Sequence, residues 1–278
     1  MNASSEFVAP ENIQRLWIKL KGQKELPPAP GFCYEELTFP DGYRMGYQFF
    51  TPSADVALPL VVYMAGTHHN NNESNDLQIR CVACHTFASL DFPFPCFVLA
   101  PWIDTPGHMP NTEEGRRTNL QYSARLNALI RNFIDNHSVD LSRVYFIGVG
   151  GGGQYQHVAP GADLYAAIAM NTSVFDYFAD GQENEYLLKV SHIPIFLSHG
   201  VCDKPNPVRR SRYAYSLLQA AGCPQLVYRE YSEAELIAAG ADLDTFDGAH
   251  NTACTLPFLS EDLYRFLFTK HRNAAQSS

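Results

Sequence analysis

No stretch of this 278-residue sequence reaches the roughly 18 consecutive apolar residues that a membrane-spanning helix needs. Positive charge is scarce: 20 Lys and Arg stand against 29 Asp and Glu, for a formal net charge of -9. Nucleic-acid binding relies on clustered cations that neutralise phosphates, and the pairs Arg116-Arg117 and Arg209-Arg210 are too short to form a stripe. Neither a nucleic-acid partner nor a membrane partner is therefore expected. The segment Met1 to Phe7 has neither the charged block nor the apolar block of a signal peptide, so none is expected. Cysteine lacks a framework: the seven residues are odd in number and scattered, which suits a reducing compartment. The expected location is cytoplasmic. Internal repeats and low-complexity blocks are absent.

What is there suffices for one large core, with 46% hydrophobic and 18% charged residues. Apolar strand-like runs and helix-like segments alternate. Phe32 to Phe39 and Tyr43 to Phe50 flank the turn Pro40-Asp41-Gly42 and read as an antiparallel hairpin. Leu58 to Met64, Cys96 to Ala100, Val144 to Ile147 and Ala166 to Met170 are continuous apolar runs, as strands covered on both faces should be. Ile193 to Ser198 and Leu226 to Tyr231 complete the series. Helical spacing marks Asn119 to Asn136, Val208 to Ala221 and Leu256 to Thr269. The pattern predicts an α/β fold with a mostly parallel sheet, an N-terminal antiparallel hairpin and helices on both faces. The expected division is an extension over 1–30, one domain over 31–272 and a tail over 273–278.

Ligands bind such sheets beyond the carboxyl ends of the strands. There, Val144 to Ile147 runs into Gly148-Val149-Gly150-Gly151-Gly152-Gly153, with a helix expected through Tyr155 and Val158. Strand, glycine-rich turn and helix are the context of the nucleophile elbow, G-x-S-x-G. Gly148 and Gly152 occupy its glycine positions, and Gly150 stands where the serine would be. A phosphate-binding loop would need Lys where Gln154 stands, and no acidic residue follows at the spacing a dinucleotide site wants. After the next strands come His199-Gly200-Val201-Cys202-Asp203 and the turn-like Asp247-Gly248-Ala249-His250-Asn251. The order Gly150, Asp203, His250 is the nucleophile, acid, base order of one hydrolase architecture.

On LPLVVYMAG, FPCFVLAPW, the approach Asp140 to Gly148, HGVCD and GAH, the chain resembles α/β-hydrolases of the esterase D and polyhydroxyalkanoate-depolymerase type, from about Tyr34 to Lys270. That resemblance implies hydrolysis of a carboxylic ester or related small acyl substrate through an acyl-enzyme. It implies Asp203 as the triad acid, His250 as the base, and an oxyanion hole from the N–H of Gly151 and one near Gly66 or Thr67. Two departures stand out. Gly150 has no side chain, so no acyl-enzyme can form on it. Ala65-Gly66 replaces the usual His-Gly, followed by the polar run Thr67 to Asn72. The other function classes open to the chain are a lyase, isomerase or cyclase using His250 as general base, or a catalytically silent binding protein.

Remaining constellations carry blander readings. Cys81-Val82-Ala83-Cys84-His85 matches a haem-attachment pattern by coincidence, with no second pair for zinc. Neither cofactor nor metal is expected. His68 and His69 are expected as polar pocket lining, and Trp102 with the loop that follows as a cleft wall. Cys202 and Ser198, near the Asp203 loop, are poorly placed to replace the missing serine.

Overall fold

The structure is a computed structural model that describes residues 8–21, 25–66, 76–102, 113–173 and 182–272. Eight strands form one sheet: β1 (Phe32–Thr38), β2 (Arg44–Phe50), β3 (Leu58–Met64), β4 (Phe97–Pro101), β5 (Val139–Val149), β6 (Ala167–Asn171), β7 (Ile195–Gly200) and β8 (Leu226–Tyr231). Their spatial order is β1-β2-β4-β3-β5-β6-β7-β8. The hairpin β1-β2 and the β2-β4 pair are antiparallel, and the rest of the sheet is parallel. This is the architecture that the apolar runs predict.

Alternation along the central strands sorts side chains between two cores. Val61 and Tyr63 of β3, with Tyr145, Ile147 and Val149 of β5, face one layer. It is closed by α1 (Glu11–Leu20), α2 (Val82–Phe87) and, from the far end of the chain, Leu263 to Phe268. Leu60, Val62 and Met64, with Val144 and Phe146, face the other. That side is covered by α3 (Glu113–Asn136), α4 (Tyr155–Val158), α5 (Gln182–Val190) and α6 (Arg209–Ala220). Every residue of β3 is buried, which is why its sequence is apolar without a period.

Three local boundaries differ from expectation. β5 starts at Val139, before the apolar run, because Val139 pairs with Leu58 across a register irregularity. The periodic stretch from Leu256 is broken into a 3-10 turn, Leu256–Leu259, and α9 (Glu261–Phe268), with Pro257 at the start of the first and Ser260 between them. The segment read as a turn around His250 is helical: α8 (Gly248–Thr255) follows α7 (Glu233–Ala238). Polar, glycine-bearing residues hid that helix, and its buried face is just Ala249, His250 and Ala253.

Within the first thirty residues, α1 buries Ile13, Trp17 and Leu20. Trp17 stacks on Tyr264 with ring centroids 5.7 Å apart, and its indole N–H donates to Thr86 Oγ1 at 3.1 Å. Truncating it opens a cavity and removes one donor from Thr86 Oγ1, which keeps its own bond to the Val82 carbonyl. Trp17→Ala should cost about 3 to 5 kcal/mol, read by denaturant unfolding. A loss below about 1 kcal/mol would mean that α1 is not part of the cooperative core.

Candidate active site

The site is assembled where β5, β6 and β7 end. β5 runs into a short 3-10 turn, Gly150–Gly152, and then α4, so the strand-turn-helix sequence of the elbow is present. Gly150 has φ +52, in the left-handed region that side chains rarely adopt. A side chain there would have room. Its first carbon would lie 3.6 Å from His250 Nε2 and 3.7 Å from Gly66 Cα, which are ordinary contacts.

His250 arrives from α8, and the approach depends on Gly200 at the end of β7. A methyl group at Gly200 would lie 2.9 Å from Ala253 Cβ and 3.3 Å from two Leu236 carbons. Without one, α8 settles on the strand end with Ala249 and Ala253 packed beside Tyr231 and Leu236. His250 then points Nδ1 at Asp203 Oδ2, 2.8 Å away, and Nε2 towards residue 150.

Asp203 is held from three sides. Its Oδ1 accepts the Asn206 backbone N–H at 2.7 Å, and its Oδ2 lies 3.3 Å from His199 Nε2 as well as beside His250. His199 is fully buried, with Nδ1 2.7 Å from Ser211 Oγ and Nε2 2.6 Å from the Asn206 carbonyl. Ser211, Asn206 and Asp203 thus account for both nitrogens of the ring. Asn206 in turn donates its side-chain N–H to the Thr172 carbonyl at 3.0 Å.

Electrostatics follow from this packing. Burial works against the charge on Asp203, but hydrogen bonds from His199, His250 and the Asn206 N–H outweigh it and lower its pKa. Burial also disfavours a charged His250. The neighbouring Cys254 sulfur and the Asp203 carboxylate reverse that and raise its pKa above the ordinary histidine value.

Gly150, Asp203 and His250, expected from the glycine-rich turn, their places after successive strands and their chain order, thus meet in one place. Gly66, at the end of β3, faces the turn, since a side chain there would begin 3.5 Å from the Val149 carbonyl. Gly151 lies within the turn. Trp102 follows β4, its carbonyl accepting from Tyr122 Oη at 3.0 Å. Thr67, His68 and His69 lie outside the described residues, as does most of the loop after Trp102. Ser198 is buried and donates to Asn171 Oδ1, while the Cys202 sulfur faces Glu233, so neither stands at the turn. A cavity of about 350 Å³ lined by Tyr165, His192 and Lys270 opens at the amino ends of β6 to β8, away from these groups.

Two neighbours were not found in the sequence. Thr172 takes φ 46, a strained conformation for a β-branched residue, of the kind that concentrates at functional sites. Cys254 lies one helical turn beyond His250, with Sγ 3.5 Å from His250 Nε2 and 3.0 Å from Thr172 Oγ1. The i, i+4 spacing would have announced it, had the segment been recognised as helix. All seven cysteines are free thiols, and no described group of His, Cys, Asp and Glu forms a metal cluster. Among the described residues, no helix is long and apolar enough to cross a membrane.

Comparison with solved structures places this geometry in a known class of fold. A thermostable esterase matches with a TM-score of 0.67 at 22% identity, over 87% of this chain and 64% of its own. An acylaminoacyl peptidase from Pyrococcus horikoshii matches with a TM-score of 0.52 at 14% identity, over 73% of this chain and 37% of its own. A lipase/esterase from Lactobacillus plantarum matches with a TM-score of 0.52 at 14% identity, over 72% of this chain and 89% of its own. The chain therefore spans less than two thirds of the length of the first two. No family model and no curated protein matches the sequence. The fold is the α/β-hydrolase fold.

Removing the Asp203 carboxylate leaves two buried imidazoles and an amide without their acceptor, so Asp203→Ala should cost about 3 kcal/mol or more. Asp203 has a lowered pKa, so its contribution is present above the unfolded value near 4 and is lost as pH falls through the folded one. His250 has a raised pKa, so its contribution is complete below about 6.5 and fades as pH rises towards the folded value. Denaturant titrations of parent and variant should diverge most between about pH 4 and 6.5. A pH-independent gap would refute the pairing.

Proposed function

We propose that this cleft is an acyl-transfer site of the carboxylesterase type, acting on a small-molecule ester or related acyl compound. One observation carries the reading: His250 Nε2 sits 3.6 Å from where a side chain at residue 150 would begin, while Nδ1 is held by Asp203. In a form with serine at 150, His250 would take the hydroxyl proton and Asp203 would orient the ring and stabilise its charge. The N–H groups of Gly151 and of Gly66 or Thr67 would hold the developing oxyanion. The polar run with His68 and His69, and Trp102, would line the substrate side. The similarity to a thermostable esterase and to a lipase/esterase supports this class. Seven free thiols favour a cytoplasmic setting.

With glycine at 150, the chain has no nucleophile at the elbow. Retention of the Asp203-His250 pair favours a second reading, in which His250 serves as general base for a lyase, isomerase or cyclase reaction. A silent binding protein would have no use for so constrained a pair.

Gly150→Ser separates these readings. Assayed on short-chain aryl esters beside the parent, the variant should gain at least about 100-fold in kcat/KM, the lower end of what a positioned acid-base group contributes. The side chain has room, so its cost is conformational: about 1 kcal/mol for a left-handed residue, visible as a small fall in Tm. A folded serine variant with no gain would exclude a serine-type esterase built on residue 150.

A further inference from the structure

The acyl-transfer reading leaves one reactive side chain unused. Cys254 Sγ lies 3.5 Å from His250 Nε2, the nitrogen that also faces residue 150. The same imidazole is anchored through Nδ1 to Asp203 at 2.8 Å, so thiol, imidazole and carboxylate form a connected relay. Cys254 is only partly buried, unlike Cys84 and Cys96 in the core. Its backbone is fixed by the Asn171 side-chain amide, which donates to the Cys254 carbonyl at 2.7 Å. Thr172 Oγ1 steadies the sulfur at 3.0 Å. Beside Thr172, the buried Ser173 hydroxyl has no partner among the described residues, and Ser173 Cβ lies 2.9 Å from where a side chain at Gly153 would begin. An unsatisfied polar group against the glycine turn is suited to a polar atom of a bound substrate.

We infer that Cys254 is the nucleophile of this chain, making it a Cys254-His250-Asp203 thiol acyltransferase or thiol esterase in place of a serine enzyme. The inference rests on the acyl-transfer reading of the same site. The thiolate is the attacking species, and a histidine within reach is the usual means of generating it. His250 Nε2 takes the Sγ proton, and the sulfur attacks the carbonyl carbon of an ester. The carbon-sulfur bond forms, the carbon-oxygen bond to the leaving group breaks, and the departing alkoxide takes the proton from His250. The resulting thioester is cleaved by water or another hydroxyl compound, whose proton passes through His250 back to the sulfur. No oxidant, metal or cofactor enters the balance. The substrate class is a carboxylic ester or thioester with a good leaving group. The absence of a side chain at Gly150 leaves space beside Nε2 for its acyl carbon.

The parent protein should be incubated with p-nitrophenyl acetate, quenched in acid, and its cysteine peptides mapped by mass spectrometry. The expected result is one acetyl group on Cys254, removed by neutral hydroxylamine as a thioester. His250→Gln should slow its appearance by about 100-fold. Cys33→Ala, at an exposed thiol on the edge strand, should leave the Cys254 rate unchanged. Cys254→Ser keeps the size and the Thr172 contact, and should lose parent turnover of the ester while keeping its circular dichroism spectrum. Acetylation of Cys254 no faster than of Cys33, or undiminished by His250→Gln, would overturn the inference. If that happens while Gly150→Ser gains esterase activity, the acyl-transfer site stands and only the thiol assignment falls. If Gly150→Ser also gains nothing, both fall together.

Discussion

The close approach of α8 to the end of β7 is the contact on which the site depends. An unsubstituted Cα at Gly200 lets Ala253 come in to a distance that any side chain would forbid. Packing in that region is tight and poorly compressible, so a helix displaced there would carry His250 with it. Everything chemical in the cleft is downstream of that seat: the hydrogen bond to Asp203, the view of residue 150 and the nearness of Cys254. The relevant helix is short and only weakly apolar. It is held by a small satellite cluster rather than by either main core.

Around Asp203, order is maintained by a network of polar groups. His199, Ser211, Asn206 and Thr172 form a buried chain of hydrogen bonds behind the carboxylate. A charge buried this deeply is tolerable because three donors meet its two oxygens, and breaking one link exposes the others to a desolvation cost. The same chain ends at Thr172, whose strained backbone places its hydroxyl against the Cys254 sulfur. Acid and thiol are therefore positioned by one network, although 51 residues separate Asp203 from Cys254.

Much of this was legible in one dimension. Leu58 to Met64 is apolar throughout because both faces of β3 are covered, and the Gly148 to Gly153 turn follows its strand just where a nucleophile elbow belongs. Asp203 and His250 could be placed by chain order. What failed was the state of the segment around His250. Asp247 to Asn251 carries the glycine and polar residues of a turn, and its helical character comes from packing against Gly200 and Leu236, which no local signal records. Reading it as a turn removed the i, i+4 relation and with it Cys254.

By itself the chain determines the layered α/β architecture, because continuous apolar runs and periodic helices have few other ways to bury themselves. It also determines that residue 150 offers no nucleophile, since that is a matter of covalent structure. Tertiary structure alone decided which groups surround the imidazole. Asp203, Thr172, Cys254 and Gly150 come from four separate segments, and only the folding of the sheet and the docking of α8 convert their separations in sequence into distances of a few ångströms.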